Sequence, residues 1–153
     1  MLRMSKLTDY GTVLLARLAS SGPDCVSATE LAEASGIAPP TVSKLLKALA
    51  KAGLVLSTRG TRGGYRLARQ PDQISAADVI DALEGPVSIT ECSKSESHCD
   101  YESNCDVGSA WQRINIAIRR ALDDISLADL QRANSPVPRF DLGGIPINVT
   151  RKP

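Results

Sequence analysis

Three of the chain's four cysteines lie in the segment ECSKSESHCDYESNCD at 91–106, beside its only histidine, His98. Thiolates bind zinc and iron–sulfur clusters, and pairs of thiols oxidise to disulfides. The spacing is Cys92, six residues, Cys99, five residues, Cys105. Structural zinc sites usually hold their cysteines two to four residues apart. Wider gaps suit a larger object around which the chain must wrap, which points to an iron–sulfur cluster. Three cysteines leave one ligand open in a cluster with four protein ligands. His98, Asp100, Glu102, Asp106 or a distant residue such as Asp9 could fill that position. A ligand other than cysteine makes a cluster more labile, which suits a sensor better than an electron carrier. The competing reading is three exposed thiols with no cofactor. Cys25 stands alone and is expected to be a small buried apolar residue.

The start, MLRMSKLTDYG, has no apolar stretch followed by a small-residue cleavage site, so no signal peptide is expected. No run approaches the roughly 18 apolar residues of a membrane span. The expected compartment is therefore a reducing cytoplasm, where stable disulfides are rare.

From Ser93 to Asn104 there is no apolar periodicity, so other elements must position these thiols. Leu7, Leu14, Leu15 and Leu18 form one face of a helix over about 7–19. Ser27 and Glu30 have capping-box spacing and open a short second helix that Gly36 ends. A third helix starts at the prolines of APP, 38–40, with Val42, Leu45, Leu46 and Leu49 inward and Gly53 as its C-cap. Strands over about 54–58 and 64–68 flank a tip with Arg59, Gly60, Arg62 and Gly63. Ser75 caps a helix through Leu83, with Asp78, Asp81 and Glu84 expected outward. After the cysteines a longer helix runs over about 109–125. In it Trp111, Ile118 and Ile125 recur every seven residues, with Ile114 and Ala121 between them. Ser126 caps a last turn or two, and a proline-rich tail from Ser135 is expected to be mobile or loosely docked. With aromatic residues at only 3%, the core must be mainly aliphatic, which favours helices.

The net charge of +1 hides a strong division: residues 1–70 carry +6, residues 71–110 carry −8 and residues 111–153 carry +3. From Lys44 to Arg69 there are seven basic residues and no acidic one. Three short helices followed by a basic hairpin give the order of a winged helix-turn-helix. Its third helix would enter the major groove of double-stranded DNA, offering Pro40, Thr41, Ser43, Lys44 and Lys47. Arg59 and Arg62 at the hairpin tip would reach the minor groove or the backbone. An ordinary solvated lysine face is the plainer alternative, and the absence of acids across this stretch weighs against it.

LTDYGTVLLARLA, TVSKLLKALAKAGLV, RGTRGGYRLA, ISAADVIDALEGP, the three-cysteine segment, WQRINIAIRRAL and ISLADL occur in that order over about residues 1–133. Together they resemble the winged-helix iron–sulfur transcription regulators that include IscR, NsrR and RirA, and among these the regulator associated with the SUF iron–sulfur assembly operon. The resemblance implies a homodimer whose long helix crosses that of its partner. It also implies that Cys92, Cys99 and Cys105 ligate a 2Fe-2S or 4Fe-4S cluster. In the NsrR branch an acidic residue of the partner's first helix completes the ligand set, and Asp9 matches that position. The IscR branch uses a histidine three residues after the last cysteine, where this chain has Gly108. His98 remains an alternative ligand. IscR and NsrR have five residues between their first two cysteines, and this chain has six.

The expected architecture is mainly α. It consists of a winged helix-turn-helix with a two-stranded wing (1–70), a connecting helix and cysteine segment (71–107), a dimerisation helix (108–134) and a tail (135–153). The expected function is a cytoplasmic, homodimeric repressor that binds a palindromic operator and senses iron–sulfur status to control cluster-assembly genes. The alternative is a winged-helix regulator that uses its thiols as a zinc site or as a direct redox or nitric oxide sensor. No substrate-binding motif or catalytic constellation suggests an enzyme.

Overall fold

The computed structural model describes residues 4–60, 63–90 and 107–132. The wing tip at Arg62, all of 91–106 and the tail lie outside the described residues. The architecture is mainly helical with one two-stranded antiparallel sheet, as the sequence predicts. Helices α1 (Lys6–Ser20), α2 (Ala28–Ser35) and α3 (Pro39–Lys51) precede a hairpin of β1 (Val55–Thr58) and β2 (Gly64–Leu67). A 3₁₀ turn (Pro71–Gln73), α4 (Ala76–Glu84), α5 (Gly108–Asp123) and α6 (Leu127–Gln131) follow.

The helix starts obey local chemistry. Ser27, Ser75 and Ser126 each accept from the backbone three residues on, and Glu30, Asp78 and Asp129 return the bond to the cap. These bonds hold the Glu30 carboxyl below its ordinary range, chiefly through the Ser27 backbone, and the Asp129 carboxyl likewise, chiefly through the Ser126 hydroxyl. Helix α1 departs from this pattern. Its N-cap is Ser5, but the residue three on is Thr8, which has no carboxylate to return. Glu84 at the end of α4 supplies one, accepting from the Ser5 backbone N–H at 2.8 Å and from the Thr8 hydroxyl.

Leu14, Leu15 and Leu18 of α1 pack with Leu31 of α2, Val42, Leu45, Leu46 and Leu49 of α3, and Leu54 and Val55 of the wing. Ile74, Val79 and Leu127 close the same core, so α4 and α6 belong to the body built around α1. Two backbone bonds, Ala76 N–H to Ile125 O at 2.8 Å and Leu127 N–H to Ile74 O at 2.7 Å, lock the start of α4 to the start of α6. The sheet pairs Val55 with Leu67 through Thr58 with Gly64. Val26 adds a rung on the other edge of β2 by exchanging both backbone bonds with Tyr65 at 2.9 and 2.8 Å. A Cβ at Gly64 would lie 2.7 Å from the Val26 carbonyl oxygen, so glycine permits this approach.

The structure refines several expectations. Helix α3 closes on Ala52, with Gly53 following in the left-handed region at φ 74°. Cys25 is half-buried rather than buried, with its thiol 3.9 Å from the Thr58 hydroxyl. Of the three acids expected to face outward from α4, Glu84 is exposed, with its carboxylate also bound by the start of α1, while Asp78 and Asp81 are half-buried and form ion pairs.

Candidate nucleic-acid interface and the frame of the cysteine segment

Helix α3 is sharply two-sided. Val42, Leu45, Leu46 and Leu49 are buried, while Pro40, Lys44, Lys47 and Lys51 are exposed. Thr41 and Ser43 are half-buried at the border between these faces, in the helix's first turns. No side chain caps its N-terminus, which begins at Pro39. Among the described residues no carboxylate forms an ion pair with Lys44, Lys47, Lys51 or Arg59. These cations are therefore available to an external anion. Arg59 is exposed directly after β1, at the start of the wing tip. Gly63 closes the far side of the tip, and a Cβ there would lie 2.3 Å from the Thr58 carbonyl oxygen. The wing is held from beneath by the Val26–Tyr65 rung, a contact the sequence reading missed because it joins residues far apart in the chain.

Cys92, Cys99, Cys105 and His98 lie outside the described residues, as do Asp100, Glu102 and Asp106. Their frame is described. Helix α4 leads into the segment and α5 leads out. Asp9 is exposed in the first turn of α1, one residue after Thr8, which is fastened to Glu84. The Thr8 hydroxyl, then the Ser5 N–H, hold the Glu84 carboxyl below its ordinary range. The start of α1 and the exit of α4 are thus tied by one carboxylate.

Helices α4 and α5 are joined by Arg119, which sits 2.7 Å from Asp81 and 3.5 Å from Asp123. Burial pushes its guanidinium down, but the Asp81 bond and the two carboxylate charges outweigh this and raise it. On α5 no residue is fully buried, and Trp111, Ile114 and Ile116 are each more than 40% exposed. An open groove of about 690 Å³ runs between α4, the 85–89 segment and α5, lined by Ile80, Pro86, Ile89, Trp111, Ile118 and Leu122. Among the described residues no helix is long and apolar enough to cross a membrane, and no cluster of three His, Cys, Asp or Glu side chains is placed for a metal.

Comparison with known proteins gives this arrangement a family. The Rrf2 profile, described as an iron-dependent transcriptional regulator, matches residues 4–133. The chain is 33% identical over 139 residues to the protein rrf2 of Nitratidesulfovibrio vulgaris, spanning 90% of this chain and 93% of that one. It is 37% identical over 116 residues to the transcriptional regulator IscR of Aliivibrio salmonicida, spanning 76% of this chain and 67% of that one. The solved structure of CymR, the global cysteine regulator of B. subtilis, superposes with a TM-score of 0.67 at 32% identity, covering 88% of this chain and all of that one. The unpaired basic face of α3, the braced wing and a match that runs through α6 agree: the chain belongs to the Rrf2 family of DNA-binding transcriptional regulators, proteins that are not enzymes.

Proposed function

We propose that this regulator acts as a homodimeric repressor that senses iron–sulfur status through Cys92, Cys99 and Cys105 and controls SUF-type cluster-assembly genes. The observation that carries the reading is the grouping of three thiols in one polar segment whose two ends are α4 and α5. The donor set fits an iron–sulfur cluster, since thiolates are its usual protein ligands. The family profile's own description as iron-dependent agrees. Asp9 of the partner subunit is the proposed fourth ligand, because it is an exposed carboxylate on α1. His98 is the alternative. When bound, the cluster supplies a ligand-exchange and redox response to iron and oxidants.

The chain's own residues carry the rest. Pro40, Thr41 and Ser43 present the start of α3 to base edges, and Lys44 and Lys47 hold phosphates from the following turns. Arg59 and Arg62 of the wing engage the adjacent groove or backbone. The exposed stripe of Trp111 and Ile114 on α5 packs against the same stripe of a second copy, giving two α3 helices for a palindromic operator. Anaerobic purification followed by iron, sulfide and absorption analysis tests the cofactor. A brown protein with iron and sulfide in near-equal amounts is expected, and a colourless protein rules the cluster out.

A second reading rests on the likeness to CymR, whose structure is that of a cysteine regulator. In that reading the thiols respond directly or hold zinc. It predicts a colourless protein whose operator affinity changes on thiol oxidation or zinc removal.

A further inference from the structure

The side chain of Asn115 fastens the segment between α4 and the first cysteine to α5. Asn115 accepts from the Ile89 backbone N–H at 3.3 Å and donates to the Val87 carbonyl oxygen at 3.2 Å. Val87 C=O and Ile89 N–H lie two residues apart, on one edge of the chain. The carboxamide therefore meets them as the N–H and C=O of one residue in a parallel neighbouring strand would. Only one orientation of the amide satisfies both bonds. Asparagine is a weak helix former, and this one sits half-buried within α5 between Trp111 and Ile118, on the face that lines the apolar groove. An apolar residue there would extend the groove wall and leave both backbone groups without their partner.

We propose that Asn115 is a positioning residue for the cysteine segment, registering the approach to Cys92 on α5. The inference rests on Cys92 being a cofactor ligand. Cys92 follows Ile89 by three residues, so about 10 Å of chain at most separates the clasped N–H from it. At the other end of the approach, Glu84 is bound to the start of α1, the helix that carries Asp9. Residues 84–89 are thus tied to α1 at one end and to α5 at the other. A displacement of Cys92 acts on both helices through these ties, and a loosened tie lets Cys92 leave the cofactor more easily.

The test compares the full-length protein with Asn115→Leu and Asn115→Asp. Asp keeps the acceptor for Ile89 but cannot donate to Val87. Two readings are taken: amide exchange at 87–90 in cofactor-free protein, and the rate at which a chelator bleaches the anaerobically purified protein. Loss of two hydrogen bonds corresponds to about 5- to 30-fold faster exchange. Asn115→Leu should show it, Asn115→Asp should fall between, and cofactor loss should accelerate in the same order. Exchange in α3 and the thermal midpoint should stay close to wild type, as a general loss of stability would not allow. Unchanged exchange at 87–90 overturns the clasp. Faster exchange with an unchanged bleaching rate overturns the positioning role. A wild type without iron and sulfide overturns the cofactor reading, and with it the positioning role, while the exchange data still report separately on the clasp.

Discussion

Lys44 and Lys47 are exposed, carry no ion-pair partner among the described residues, and stand above a buried leucine face that cannot turn. If they hold phosphates, each contributes mainly counterion release. Replacing either with alanine should weaken binding to every DNA sequence alike and reduce the slope of log affinity against log salt by roughly 0.9. Fluorescence anisotropy across a salt series reads this slope. A loss confined to the operator would instead place the lysine on a base edge. Glu84 acts at the same scale with a different signature. Its carboxyl is held below the ordinary range in the folded chain, so the charged form stabilises the fold above the unfolded value of about 4.3. That contribution is lost as pH falls through the folded value. The thermal midpoint of the wild type should exceed that of Glu84→Gln at pH 7, and the gap should close toward pH 3. A gap that does not depend on pH would assign the difference to packing.

At the scale of elements, the wing depends on a close backbone approach. Gly64 faces the Val26 carbonyl, and Val26 and Tyr65 exchange both backbone bonds. Gly64→Ala must push β2 away from Val26, since the obstructing atoms are backbone rather than the end of a flexible side chain. The expected cost is about 1–3 kcal/mol in chemical unfolding, with weaker DNA binding as the wing shifts. Unchanged stability would mean the rung is dispensable. The same elements show what was legible beforehand. Ser27, Ser75 and Ser126 announced their helices because each cap finds its acid three residues away. The apolar spacing of α3 marked its buried face for the same reason, since helical periodicity is local. The Ser5–Glu84 tie spans 79 residues, and the Val26–Tyr65 rung and the Asn115 clasp likewise join distant positions. Such pairs carry no local pattern, so only the fold reveals them. The lysine face of α3 was legible as a helix stripe, while the part played by Glu84 was hidden because its partners Ser5 and Thr8 lie 79 and 76 residues away in the chain.

At the scale of the whole molecule, α5 has an outer face that no other described element covers. Trp111 and Ile114, three residues apart on one face, are exposed on a helix that otherwise packs on α4. A second copy would cover this stripe, and a charge placed within it should separate the subunits. Ile114→Asp should shift sedimentation toward the monomer at micromolar concentration and lower operator affinity, with the far-ultraviolet spectrum unchanged. A variant that stays dimeric would move the interface elsewhere. In the proposed function, the state of the cysteine segment governs DNA binding by the winged helix. Such coupling exists only if the cofactor binds the two DNA-affinity states unequally. It is tested most directly by measuring operator affinity for one anaerobic preparation before and after its cofactor is removed, at a single fixed salt concentration. The starting material should contain iron and sulfide, and the cofactor-bound form should bind the operator at least tenfold more tightly. Equal affinity in the two forms would contradict this coupling.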